Sequence, residues 1–299
     1  QLDLAAARKS IEACLSGPTG LSLEQVADGI LRIAVAQMAH VVKRVTTERG
    51  LDARDFSMVA YGGAGPLHAV AVARELSIAR VVIPFAPGYF SAIGMLMADL
   101  RRDAVRTLFA RLAQLDFEHV DAVFSEMETA ARAEIAPCLP GVTAMTVEVG
   151  ADMRYIGQEH AVSVDLQAEM FTRRDRQAIK RAFDAAHESR YGYASPDEGA
   201  EIVSLRCTVV GAMPKPQWPE APAREALAGD AAIRDRRQVW FTGSGYLDTP
   251  AYSRALLAEG QRISGPALIE EHATTTVLPP GAALEVDRKG NLIIEVQTS

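Results

Sequence analysis

The sequence is poor in cysteine. It holds three, Cys14, Cys138 and Cys207, with no CxxC pair. An odd, scattered set cannot close an even disulfide framework, so a reducing, cytoplasmic compartment is expected, with the thiols buried and inert. No apolar stretch approaches the roughly 20 residues that span a bilayer, and no secretory signal opens the chain. Excess positive charge is also missing: a net charge of −7 argues against nucleic acid or an anionic membrane as the main partner. The six histidines, His40, His68, His119, His160, His187 and His272, form no HxH or HxxxH pair, and no metal site is expected. The GxSxG elbow of hydrolases is absent, and no Lys-Ser or Lys-Thr follows a glycine loop to make a Walker pattern.

What is present is ordinary for a globular chain: 299 residues, 48% hydrophobic and 23% charged, enough for two or three domains. The first residue is Gln1, so the chain is expected to be cut from something longer.

The most informative stretch runs from Phe56 to Gly94. The apolar run Met58-Val59-Ala60-Tyr61 stops at Gly62-Gly63-Ala64-Gly65-Pro66. A second, Arg80 to Pro84, leads into Pro87-Gly88-Tyr89-Phe90-Ser91-Ala92-Ile93-Gly94. Each half reads as a strand delivering a glycine-bearing loop to a helix, with Pro66 at the first helical position, where it costs least. Ligands of α/β sheets sit outside the carboxyl ends of strands, where glycine lets backbone approach and a helix start offers unpaired N–H groups.

Around this segment, Ser22-Leu23-Glu24-Gln25 is a capping-box pattern. Val26, Ile30, Ile33, Val41 and Val45 then recur at helical spacing up to a stop at Gly50, on a face with Ala27, Ala34 and Ala39 suited to packing on a sheet. Phe117, Val120, Phe124 and Met127 mark another amphipathic helix, ended by Pro137. Strands are expected over 142–149, 152–156, 161–166 and 201–210, with a helix from Thr172 to Arg190 capped by Thr172 and Asp175. Pro214, Pro216, Pro219 and Pro222 make a stiff linker, and short strands punctuated by Gly and Pro follow from about Arg237.

The residues leave the candidate sites open. Gly62, Gly63 and Gly65 fit either a tight turn without ligand or backbone contact with a nucleotide; they fail as a dinucleotide fingerprint because His68, not glycine, follows Leu67. His68 reads as a packing histidine or a residue near the loop. Ser91 reads as a helix cap. Asp99, Arg101, Arg102 and Asp103 read as a solvated charged turn. Arg154, in Asp152-Met153-Arg154-Tyr155-Ile156-Gly157-Gln158, is either a clamp for a carboxylate or phosphate or glue paired with Glu201 or Asp152. Strand alternation separates the carboxylates of Glu270 and Glu271.

Long stretches resemble a known family. YGGAGPLHAVAVARELSI (61–78), VVIPFAPGYFSAIGMLMADL (81–100), the preceding ERGLDARDF (48–56), and then DMRYIGQEH (152–160), HESRYGY (187–193), GPALIEEHATTTVLPPG (265–281) and GNLII (290–294) are similar, in this order, to the C-terminal portion of the A subunit of the hydantoinase/5-oxoprolinase family, of the N-methylhydantoinase A type. That resemblance implies an α/β and α+β chain: part of a ribonuclease-H-like nucleotide-binding layer as in actin, sugar kinases and Hsp70, then an α+β region and a small β subdomain. The implied domains are 1–106, 107–212, a linker at 213–236, and 237–299. Gly62, Gly63 and Gly65 match the loop that approaches the adenosine side of ATP, with His68 beside it and Arg154 as a weaker substrate contact. The family's phosphate-binding DxGGT-like stretch has no match in the sequence. The Mg²⁺ ligands and catalytic residues are therefore expected in a preceding part, and this portion alone is expected to be inactive. The implied activity is ATP-dependent ring-opening of a cyclic amide, with an A-type subunit of a ketone carboxylase and a non-catalytic interaction platform as alternatives. A B-type subunit is the implied partner, and an uncovered apolar face is expected to favour a homodimer.

Overall fold

A computed structural model of the chain describes residues 3–217 and 229–297. The helices are α1 (Leu4–Ile11), α2 (Gly17–Thr19), α3 (Leu23–Thr47), α4 (Gly65–Glu75), α5 (Phe90–Met97), α6 (Phe117–Ile135), α7 (Ala168–Thr172) and α8 (Arg176–Tyr191). The strands are β1 (Met58–Val59), β2 (Arg80–Ile83), β3 (Leu100–Arg111), β4 (Ala144–Tyr155), β5 (Val162–Leu166) and β6 (Ala200–Ala212), then β7 (Ile233–Phe241), β8 (Gly245–Ser253), β9 (Arg262–Ser264), β10 (Ala267–Glu271), β11 (Thr274–Leu278), β12 (Ala283–Val286) and β13 (Leu292–Glu295). They form two compact units, Gln1–Gly94 with Gln217–Ser299, and Met95–Pro216.

The first unit has a five-stranded sheet, β1-β2-β13-β12-β9, and a four-stranded sheet, β11-β10-β8-β7. Strands β1 and β2 run parallel; β13 pairs antiparallel to β2, with Leu292 opposite Ile83 and Ile294 opposite Val81. Helix α4 touches both β2 and β11. Its Ala69, Val70, Val72 and Ala73 share one core with Val81, Ile83, Ile269, Leu278, Leu284, Leu292 and Ile294. Small residues on α4 let the helix approach closely, so the core fills without large side chains on that face.

This pairing corrects the expected domains. Residues 237–299 are not a separate subdomain: β13 lies between β2 and β12 in the sheet that β1 and β2 begin. Alternation in Leu292–Glu295 reveals an inward face but not the neighbour against which the strand docks. The first stretch of this unit closes at Gly94, ahead of 106, because β3 starts at Leu100 and pairs with β6. Of the expected linker, Pro219 and Pro222 lie outside the described residues, and β7 already begins at Ile233.

Helix α3 carries the predicted capping box: Ser22 Oγ accepts from the Gln25 N–H at 3.2 Å, and the Gln25 side chain accepts from the Ser22 N–H at 2.9 Å. Its packing face is only partly the expected one: Val26 and Ala39 are buried, but most of the apolar row is not. It rests on α4 rather than on a sheet, through Ala39, Val35 and Val42, while Ile33 and Val41 stay 63% and 61% exposed and Ile30 and Val45 lie outside too. Apolar residues on both faces make the helical period visible but its inward direction ambiguous.

The second unit is a sheet in the order β3-β6-β4-β5, antiparallel throughout, with α6 against β3 and β6 and α8 against β5. Tyr155, Phe183, Ile179, Met153, Ile202, Leu205, Val120 and Met127 form its core. Asp116 caps α6 and Asp175 caps α8, whereas Thr172 belongs to α7. Two further expectations fall here. The strands foreseen at 142–149 and 152–156 are one strand, β4, with a register shift between Asp152 and Met153. Arg101, Arg102 and Asp103 are not a charged turn but part of β3, where Arg101 pairs with Asp103 and Thr208 donates to Asp103.

Candidate functional site

Three loops of the first unit meet beyond the end of β1. The Ala60 N–H still reaches the Val82 carbonyl at 3.0 Å; the chain then turns through Tyr61-Gly62-Gly63-Ala64 into α4. Gly62 has φ +87° and open space where a Cβ would stand, so its demand is conformational: L-residues in this region lose roughly 1–2 kcal/mol. Its N–H donates to the carbonyl of Pro87 at 2.7 Å. The carbonyl of Gly63 accepts from the Thr274 hydroxyl at 2.8 Å. A Cβ on Gly88 would stand 3.3 Å from the Cβ of Ala273, which closes the triangle.

The rim carries ring faces. Tyr89 stacks on His272 with centroids 5.8 Å apart and planes at 8°, and Tyr61 tilts against Phe90 at 5.3 Å. Tyr61, Tyr89 and His272 are exposed. Next to His272, Ala273 is held at φ +68°, a backbone state that non-glycine residues keep only where the surroundings enforce it. The α4 N-terminus has no side-chain cap and no acidic residue in its first turn, so the positive end of its dipole is uncompensated by side chains.

Behind the rim lies an ion pair. Arg254, whose side chain is 9% exposed, donates to Glu271 Oε1 at 2.9 Å and to the carbonyls of Ile83, Pro84 and Gly290 at 3.1, 2.7 and 2.8 Å. Burial pushes the Glu271 carboxyl up and the Arg254 guanidinium down; their mutual attraction opposes both shifts. Glu270, on the other side of β10, pairs with Arg237 at 2.9 Å.

The predicted contacts do not all lie together. Gly62 and Gly63 belong to the three-loop rim. Gly65 and His68 line an apolar hollow of about 470 Å³ with Met38, Val41, Val42 and Met58, against α3. Arg154 is in the second unit, where β4 and β6 register it opposite Glu201; its Nε donates to Glu201 at 2.7 Å and its Nη1 to the Glu159 carbonyl at 3.2 Å. Ser91 lies inside α5 rather than ahead of it. Cys207 is buried, and burial raises its thiol pKa, but Cys14 and Cys138 are exposed, contrary to expectation. Among the described residues no group of three His, Cys, Asp or Glu side chains comes together to hold a metal, and no helix is long and apolar enough to cross a membrane.

Sequence reasoning passed over Tyr89, His272, Thr274 and Arg254. The first three sit in segments whose local pattern suggested a loop and an acidic strand. Arg254 carries no local signal at all, because its acceptors lie 171, 170, 36 and 17 positions away.

Two family models match the chain: one described as Hydantoinase/oxoprolinase over residues 1–104, and one described as Hydantoinase/oxoprolinase C-terminal domain over residues 112–295. The chain belongs to the hydantoinase/oxoprolinase family. An uncharacterised protein of Methanocaldococcus jannaschii, MJ0964, is 34% identical over 94% of this chain and 39% of its own length. Caprolactamase subunit alpha of Pseudomonas jessenii is 28% identical over 96% of this chain and 42% of its own. The acetophenone carboxylase gamma subunit of Aromatoleum aromaticum is 28% identical over 98% of this chain and 41% of its own. The crystal structure of the ATP-dependent caprolactamase from Pseudomonas jessenii superposes with a TM-score of 0.77 at 28% identity, covering 98% of this chain and 43% of that one. This family member thus spans about two fifths of the length of these curated relatives, and it shares with the solved caprolactamase a mixed fold of helices and sheets.

Proposed function

We propose that this chain is the C-terminal portion of an A-type subunit that uses ATP to open a cyclic amide such as a hydantoin or lactam, and that its three-loop rim forms one wall of the nucleotide site in an actin-like layer. The observation that carries the reading is the convergence at Gly62 and Gly63, where a glycine turn pinned by two hydrogen bonds, an uncapped helix start and exposed ring faces share one edge.

The rim suits the base and sugar of a nucleotide: ring faces for stacking, a glycine backbone that permits close approach, uncapped N–H groups at the start of α4, no free carboxylate to repel. It does not suit the Mg²⁺-bearing phosphates, because Glu270 and Glu271 are both engaged by arginines. The groups that hold Mg²⁺ and the γ-phosphate belong, on this reading, to the part of the relatives that this chain does not span. ATP would supply the phosphorylation of an amide oxygen that resonance otherwise keeps unreactive; the residues here bind and orient the nucleotide. The apolar row Ile30, Ile33, Val41 and Val45 is where the remaining polypeptide of the subunit packs, and a B-type subunit completes the reaction.

A second reading, the A-type subunit of a ketone carboxylase, is favoured by the similarity to the acetophenone carboxylase gamma subunit. Both readings need the nucleotide wall. Calorimetry with a non-hydrolysable ATP analogue and Mg²⁺, on the intact protein and on this chain alone, tests it. Binding by the intact protein, weakened by Gly63→Ala, is expected; tight binding by this chain alone contradicts a shared site. Normal nucleotide binding by Gly63→Ala, with lost assembly on the B-type subunit, leaves an interaction platform instead. Turnover assays with hydantoins, lactams and ketones then separate the two enzyme readings.

A further inference from the structure

We propose that Arg254 is the positioning residue of the nucleotide wall, setting from below the conformation of the turn that meets the ligand. The proposal rests on the nucleotide reading of that turn.

The geometry is a pair of short paths from one guanidinium. On one side Arg254 holds the carbonyls of Ile83 and Pro84, where β2 gives way to the loop whose Pro87 carbonyl takes the Gly62 N–H. On the other it holds Glu271, the last residue of β10, one step before the His272-Ala273 turn and three before Thr274, whose hydroxyl holds the Gly63 carbonyl. Both hydrogen bonds that fix Gly62 and Gly63 therefore start from loops anchored on the same side chain. The third carbonyl, of Gly290, ties in the segment between β12 and β13.

Only arginine matches this task. Its Nη2 meets the carbonyls of Ile83, Pro84 and Gly290 while its Nη1, held rigidly in the same planar fork, meets Glu271, whereas lysine offers a single nitrogen on a flexible stem. A lysine at 254 keeps the charge opposite Glu271 and fills most of the volume but cannot hold Ile83, Pro84, Gly290 and Glu271 together. Structural need alone is a weak reason for a buried pair, since hydrophobic replacements of such pairs are often neutral. Here both partners lead directly into the rim, and their anchoring fixes Tyr89 and His272 along with the glycine turn.

Arg254→Lys in the intact protein tests the idea, with Arg262→Met, which breaks the exposed pair to Glu285 across β9 and β12, as the control. Two quantities are measured: hydrogen exchange at residues 61–65, compared with Ala73 in the core of α4, and affinity for a non-hydrolysable ATP analogue. Arg254→Lys is expected to speed exchange at the Gly62 amide about tenfold and weaken the analogue about tenfold, with exchange at Ala73 within about twofold of wild type and the control unchanged on both counts. Exchange that rises equally at Gly62 and Ala73 means general destabilisation and overturns the proposal. So does an unaltered Gly62 amide. If Gly63→Ala weakens the analogue while Arg254→Lys does not, the nucleotide wall stands and the role of Arg254 falls. If neither substitution changes affinity, the nucleotide reading itself fails and takes the proposal with it.

Discussion

The hydroxyl of Thr274 donates to the backbone carbonyl of Gly63 at 2.8 Å, joining residues 211 positions apart in the chain. This contact ties the β10–β11 turn to the start of α4. Thr274 itself is buried, so Thr274→Val keeps shape and volume while leaving that carbonyl without its donor. The net worth of such a bond is about 1 kcal/mol. We expect Thr274→Val to lower the unfolding free energy by about that amount in urea titrations and to loosen the glycine turn. An unchanged urea midpoint would mean the contact contributes nothing.

Two adjacent glycines serve different ends. Gly62 is glycine because its backbone is left-handed; Gly63 has no such constraint, and an added Cβ would stand 3.4 Å from the Ala273 carbonyl, at the edge of ordinary contact. Gly62→Ala should therefore cost roughly 1–2 kcal/mol of stability, and Gly63→Ala much less. If the turn receives a nucleotide, Gly63→Ala is the more informative variant, weakening the ligand in a protein whose melting temperature hardly moves. Equal melting temperatures for the two variants would contradict the assignment of the strain to Gly62.

Arg154 and Glu201 pair across β4 and β6 with side chains only 25% and 20% exposed. Arg154→Met leaves a half-buried carboxylate unpaired, and Arg154→Met with Glu201→Leu removes the whole pair. We expect the single variant to be less stable by about 1–3 kcal/mol and the double variant to recover much of that, because the penalty comes from the stranded charge. The outcome that returns Arg154 to the substrate is a single variant of unchanged stability whose KM rises.

The sequence pattern exposes what is local. The capping box at Ser22, the strand-to-helix turn at Gly62 and the cap at Asp175 are satisfied within a few residues, and the pattern names them correctly or nearly so. It misleads where one segment suits two environments: α3 is apolar on both sides, and Arg101 to Asp103, exposed as expected, look like a turn because the strand that pairs with them and their partner Thr208 are far along the chain. The site follows the same division. Its glycines are legible because φ is a local property, whereas Tyr89 over His272 and Arg254 under both loops arise only when β13 and β10 bring distant segments together.

Asp152 gives the second unit a measurable acid sensitivity. Burial alone would raise its carboxyl, but the hydroxyls of Ser163 and Ser204 and the Arg206 guanidinium outweigh burial and hold it below its ordinary value of 3.8. A carboxyl depressed in the folded state binds its proton more weakly there than in the unfolded chain. Its stabilising contribution is thus complete above the unfolded value and lost as pH falls through 3.8 towards the folded one. Glu271, raised by burial, has the opposite sign: its contribution is complete below 4.5 and lost as pH rises. Comparing wild type with Asp152→Asn cancels the Glu271 term, because the two groups share no contact. Urea midpoints at pH 6 and pH 3 should therefore fall further for wild type than for Asp152→Asn. Depressed carboxyls at Asp99 and Asp103 leave the variant some acid sensitivity of its own. Equal losses in the two proteins would show that the serine and arginine contacts do not favour the charged form of Asp152.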